Sequence, residues 1–157
     1  MFDWNFSNQS AAERLQIPPS CLTTTRATLR PGSCSAIGIV RWETSLRERA
    51  FQFGLALLKL YPRIARPGPQ YAAIALQLVR AGSSIGAHLE EADVAASRRD
   101  MALKQAVGLR EARESKHWLR MLLAEEVLVD DLRPLFQESG ELVAMLTASV
   151  KKLRDDG

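Results

Sequence analysis

Few residues in this sequence of 157 have the type and spacing to do chemistry. Glu114-Ser-Lys-His117 sets a carboxylate and an imidazole three apart, the Glu-x-x-His spacing with which helix bundles hold di-iron centres. Such a centre needs a second motif of the same kind and two further inward glutamates. The other histidine is His88, and the residue three before it is Ile85, so half of the ligand set is missing. Nucleophilic catalysis has less support. Ser83 and Ser84 stand among small residues suited to helix packing, and Cys21 and Cys34 lie in an unpatterned stretch without CxxC spacing. Gly82-x-x-x-Gly86 is a common helix-packing spacing, and no glycine-rich phosphate loop occurs. No catalytic residue, metal site, cofactor or small-molecule substrate is therefore expected.

Two charged features remain. Arg110 and Glu114 are four apart, so they are neighbours along one helix face. They interrupt a row, Leu103-Val107-Trp118-Met121, that is otherwise apolar. Charges on a partly buried face are costly unless paired, so this pair predicts a structural polar layer or a subunit interface. Between Arg98 and Arg120 there are seven lysines and arginines against Asp100, Glu111 and Glu114, a local charge of +4. Arg98, Arg99, Lys104, Arg113, Lys116 and Arg120 are the candidates for nucleic-acid contact. Aromatic stacking partners are scarce there, which argues against sequence-specific recognition.

These residues need elements to position them, and the pattern is helical throughout the last three quarters of the chain. Leu46, Ala50, Phe53, Leu57, Leu60 and Ile64 recur at steps of four and three, predicting a first helix over about 43–63 that Pro62 and Arg66-Pro67-Gly68-Pro69 stop. A second helix, about 70–95, carries Tyr71, Ile74, Leu78, Ala81, Ile85, His88, Ala92 and Ala95 on one face. Ser97 with Asp100 makes a capping pair for a third helix reaching about Val127, with Ala102, Ala106, Leu109, Ala112, Leu119 and Leu123 in one row beside that of Arg110 and Glu114. Asp130-Asp131 opens a fourth, where carboxylates meet the positive end of the helix dipole. Its stripe is Leu132, Leu135, Phe136, Leu142, Val143, Leu146, Val150 and Leu153, and Gly140 is expected to kink, weaken or divide it. Four amphipathic helices with short connections predict an all-α, antiparallel up-down four-helix bundle over residues 43–157.

Residues 1–42 lack a sustained helical period and hold breakers at Pro18-Pro19 and Pro31-Gly32. They are read as an irregular, flexible extension with a short helical turn near Ala11–Gln16, or as sequence preceding a true start near Val40. The net charge is +3; four arginines against Asp3 and Glu13 put +2 of it in residues 1–42, leaving +1 for the bundle. That is too little to identify a nucleic-acid binder by charge alone. No run approaches the roughly 18–20 apolar residues of a membrane span, and no basic leader precedes an apolar stretch, so a cytoplasmic location is expected.

The stretch from Ala81 to Leu122 resembles the bacterial four-helix-bundle family first noticed as proteins encoded in ribosomal-RNA intervening sequences, related to the accessory protein of diversity-generating retroelements. The matching pieces are Ser84-Ile85-Gly86-Ala87, Glu90-Glu91-Ala92, Ser97-x-x-Asp100, Arg110-Glu111-Ala112-Arg113-Glu114 and Trp118-Leu119-Arg120. His88 stands where the family usually has Asn, Met101 where it often has Phe, and His117 where it often has Tyr. Residues 1–40 have no counterpart. The resemblance implies a ring-like homo-oligomer, typically a pentamer, without enzymatic activity, and in the retroelement branch binding of nucleic acid and of a reverse transcriptase. Within the resembling motif, His88 and Glu91 are the cross-helix partners expected for Arg110 and Glu114. The leading expectation is a homo-oligomeric scaffold engaging RNA, DNA or a nucleic-acid-processing protein. An assembly that binds only proteins comes second, and a metal-dependent enzyme is a distant third.

Overall fold

The structure, a computed structural model, describes residues 45–155, and the expectations for residues 1–42 and for the start of the first helix at Glu43 lie outside these. Four helices fill the described chain: α1 (Leu46–Ala65), α2 (Pro69–Asp93), α3 (Arg98–Ala124) and α4 (Val129–Asp155). No strand occurs among the described residues, and the fold is the expected all-α up-down bundle. Sequence-adjacent helices pack along their lengths, whereas α1 and α4, which close the bundle, touch far less.

Each helix forms because its inward stripe can be buried only in this way. Phe53, Leu57 and Ile64 of α1, Leu78 and Ile85 of α2, Leu119 and Leu122 of α3, and Leu132, Leu135, Leu142 and Leu146 of α4 are all fully buried. Burial of each such side chain is worth about 1.5–3 kcal/mol. The ends are marked by local chemistry. Pro69 occupies the first turn of α2, where its missing N–H has no partner to lose. Ser97 Oγ accepts the Asp100 N–H at 3.1 Å, which makes the predicted cap of α3. Asp130 and Asp131 stand in the first turn of α4, with Lys152 and Arg154 in its last.

Three local expectations are corrected. Helix α1 runs two residues beyond the expected Arg63, to Ala65, and gives way at Arg66-Pro67-Gly68-Pro69 as expected; it passes through Pro62, which is exposed and forfeits its bond in the last turns. Helix α4 is continuous through Gly140, whose missing side chain leaves room for Lys116: a Cβ there would lie 3.4 Å from Lys116 Nζ. Helix α3 ends at Ala124, three residues before Val127. Glu126 takes a left-handed conformation (φ 55), and the N–H groups of Glu126 and Val127 bond the carbonyls of Leu123 and Leu122 at 3.2 and 3.0 Å. That is a Schellman cap built on glutamate where glycine is usual.

Candidate self-association and anion-binding surfaces

The predicted polar layer does not form inside the bundle. Arg110 and Glu114 are both exposed; Glu114 accepts a hydrogen bond from Trp118 Nε1 at 3.1 Å. The physical reason lies in α3 itself. Ala102, Gly108, Leu109, Ala112, Ser115, Leu119 and Leu122 are the residues of α3 that are buried, and Arg110 and Glu114 lie outside that set. Two apolar members of their row, Leu103 at 57% and Met121 at 39% exposure, are open to water too, while Trp118 is half-buried against the core.

His88 and Glu91 meet a different partner. Lys104 Nζ donates to Glu91 Oε2 at 2.8 Å, linking α3 to α2, while the buried His88 Nδ1 stands 3.5 Å from the same oxygen, at the limit of hydrogen-bonding reach. The Lys104 hydrogen bond, then its charge, holds the Glu91 carboxyl below its ordinary 4.5, with a smaller contribution from His88. The same hydrogen bond raises the Lys104 ammonium above its ordinary 10.5.

The buried carboxylates are elsewhere, on the α1–α4 seam. Arg49 donates through Nε and Nη2 to the two oxygens of Glu138 at 2.7 and 2.8 Å, a bidentate pair. Glu138 is 3% exposed. This hydrogen bonding raises the Arg49 guanidinium above its ordinary value, against a lowering by burial. At the other end of α1, Arg63 Nη2 meets Asp131 Oδ2 at 2.6 Å. Sequence reading missed both pairs. Glu138 does carry one visible signal: it falls within the apolar period of α4, where an unpaired carboxylate is excluded.

The predicted nucleic-acid residues separate by direction. Arg99, Arg113 and Arg120 are exposed; Lys104 turns to Glu91, and Lys116 reaches over the Phe136 ring of α4, 5.5 Å from its centre. Arg98 and Arg99 also line a cleft of about 340 Å³ with Ala102, Leu103, Leu153 and Arg154.

A second surface was not foreseen. Between the outer faces of α1 and α2 runs a groove of about 410 Å³, walled by Phe51, Leu55, Leu58 and Val79, with Arg47 and Glu90 at one end. Phe51 is 59% exposed and Leu58 58%. Its floor exists because the two helices approach closely: a Cβ on Gly54 would lie 3.2 Å from Ser83 Cα, and one on Gly82 would overlap the Leu57 side chain. Phe51, Leu55 and Leu58, at steps of four and three, form a second apolar stripe on α1 that was visible in the sequence. None of the sequence-predicted site residues lines this groove.

Among the described residues, no three His, Cys, Asp or Glu side chains gather closely enough to hold a metal ion, and no helix is long and apolar enough to cross a membrane. The described chain offers two chemically distinct outer faces, one apolar on α1–α2 and one basic on α3.

The bundle has a solved counterpart. It belongs to a protein of unknown function from the S23 ribosomal protein family of Bacteroides thetaiotaomicron. The two share 28% of aligned residues at a TM-score of 0.62, over 68% of this chain and 99% of the other. The match spans essentially the whole of the S23-family protein. The sequence matches no family model and no curated protein.

Proposed function

We infer that this chain is a non-catalytic, cytoplasmic scaffold of the intervening-sequence and S23 type, which assembles with copies of itself and offers its basic helix surfaces to nucleic acid or to a nucleic-acid-processing protein. The observation that carries this reading is the α1–α2 groove. Phe51 and Leu58 each leave more than half of their surface in water, two turns apart along one groove with Leu55 between them. Contiguous exposed apolar patches rimmed by polar residues often mark sites of protein interaction. Leu76 of α2, 48% exposed, extends the apolar side chains on this part of the molecule.

Two further points support the reading. The solved S23-family protein that this chain resembles is itself a bundle and little else. The helix 2–3 motif resembles a family of ring-forming bundles, which makes a pentamer the expected size. Arg110 and Glu114, expected in a polar layer or interface, are both exposed on one chain.

Light scattering on the purified full-length chain tests the assembly. The expected mass is five times that of one chain, whatever the concentration across the micromolar range. The mass of a single chain at every concentration would overturn the proposal.

A further inference from the structure

Helical geometry sorts the basic residues of α3 more finely than the sequence could. Counting from Arg99 in steps of four and three reaches Leu103, Ala106, Arg110, Arg113, His117 and Arg120. Residues at those steps share one side of a helix. In the structure this side faces water: Arg99, Leu103, Arg110, Arg113, His117 and Arg120 are all exposed. The row extends over about 31 Å at the α-helical rise. No acidic residue falls on it. Glu114, beside it, is engaged by the Trp118 indole. Among the described residues, Arg99, Arg110, Arg113 and Arg120 make no hydrogen bond or ion pair. Lys104 and Lys116 lie off the row, held to α2 and α4 as described. At its beginning the row opens into the cleft that Arg99 shares with Arg98 and Arg154, at the positive end of the α3 dipole.

We propose that this row is a track for the phosphate backbone of a nucleic acid, with Arg99, Arg110, Arg113 and Arg120 each meeting a phosphate and Arg154 adding a contact at the cleft. The inference rests on the nucleic-acid reading above and names its site. A straight series of guanidiniums suits a polymer with evenly repeated anions, and each planar fork can bond two phosphate oxygens. Base recognition has no equipment here. The one aromatic ring on the row, His117, is occupied edge-on against Trp118 at 5.3 Å, and Trp118 itself is half-buried and hydrogen-bonded to Glu114. Binding is therefore independent of sequence.

The test compares two double variants that remove equal charge from the same helix. Arg110→Gln/Arg113→Gln takes it from the row; Lys104→Gln/Lys116→Gln takes it from beside the row. Binding of labelled oligothymidine and of a mixed-sequence duplex is measured by anisotropy over a salt series, using full-length protein. The arginine pair is expected to weaken binding of the tighter probe about tenfold and to flatten the log–log salt slope by roughly 1.4–1.8 per chain, from two lost phosphate contacts. The lysine pair should leave both within twofold of wild type. Equal losses from the two pairs would overturn the track, as would tighter binding to polyglutamate than to either nucleic acid competitor. A wild-type slope near zero on both probes would overturn nucleic-acid binding altogether. Light scattering on each variant reads assembly separately, so a failure of self-association is not mistaken for a failure of the track.

Discussion

Helix α1 is held to its two neighbours by opposite means. Against α2 it uses the smallest side chains available: Gly54 lies on Gly82 and Ser83 so closely that the backbones themselves make the contact. Against α4 it uses the longest, with Arg49 and Arg63 reaching across to Glu138 and Asp131. The first seam is short-range along its middle, and charge enters it only at one end, where Arg47 pairs with Glu90 and Asp93. The second tolerates a wider gap, because an arginine spans several ångströms and still finishes in a directional bond. A bundle can thus close on a helix pair that packs poorly, provided that the charges in the gap are mutually satisfied.

The contrast makes the α1–α4 seam the more fragile to single substitutions. Glu138→Ala should lower unfolding stability by about 3 kcal/mol, since it leaves the Arg49 guanidinium at the seam without its bidentate partner. The double change Arg49→Met/Glu138→Leu should recover most of that loss, because an apolar pair of similar volume has nothing left unpaired. Urea melts of the three proteins decide it. A loss under 1 kcal/mol for Glu138→Ala would show that the pair is ornament.

The α1–α2 seam should break by crowding instead. Gly54→Val places a Cβ 3.2 Å from Ser83 Cα, a backbone atom that cannot step aside, and should cost about 2 kcal/mol. Gly86→Ala is the control on the same two helices. Its Cβ would come no nearer than 3.8 Å to Phe51 N, so the gain in helix propensity should leave the protein up to about 1 kcal/mol more stable. If the two glycines responded alike, close approach would not be what joins these helices.

The smallest effect belongs to the exposed Glu91–Lys104 pair between α2 and α3. Glu91 is lowered by folding, so its contribution is complete above 4.5 and is lost as pH falls through the folded value. Lys104 is raised, so its contribution is complete below 10.5 and is lost as pH rises through the folded value. Lys104→Met should therefore shift the melting midpoint slightly near pH 7, and the shift should shrink as pH falls below 4.5 and Glu91 takes up its proton. A difference that grew in acid would contradict the pairing.

How much of this was legible in the sequence depends on the range of the interaction. The inward stripes and the Ser97 cap were readable because helical period and capping are written within a few residues. The end of α3 was not, since its left-handed cap residue is Glu126 and no glycine announces it. The Arg49–Glu138 bond joins residues 89 positions apart, and nothing local in α1 names its partner on α4. The misplacement of Arg110 and Glu114 has another cause. Helix α3 carries two rows with apolar members, and periodicity finds both without saying which one faces the core. The same ambiguity on α1 hid the groove, as Phe51, Leu55 and Leu58 obey the period of the core stripe but lie outside it.

Self-association through that outer stripe is the centre of the account. It is tested most directly by light scattering and circular dichroism on Phe51→Glu/Leu58→Glu beside the unaltered chain. Both positions are open to water in a single bundle, so two carboxylates there should leave the helix content intact while reducing the particle to one chain. A variant that kept both its helices and the full mass of the assembly would show that copies meet elsewhere.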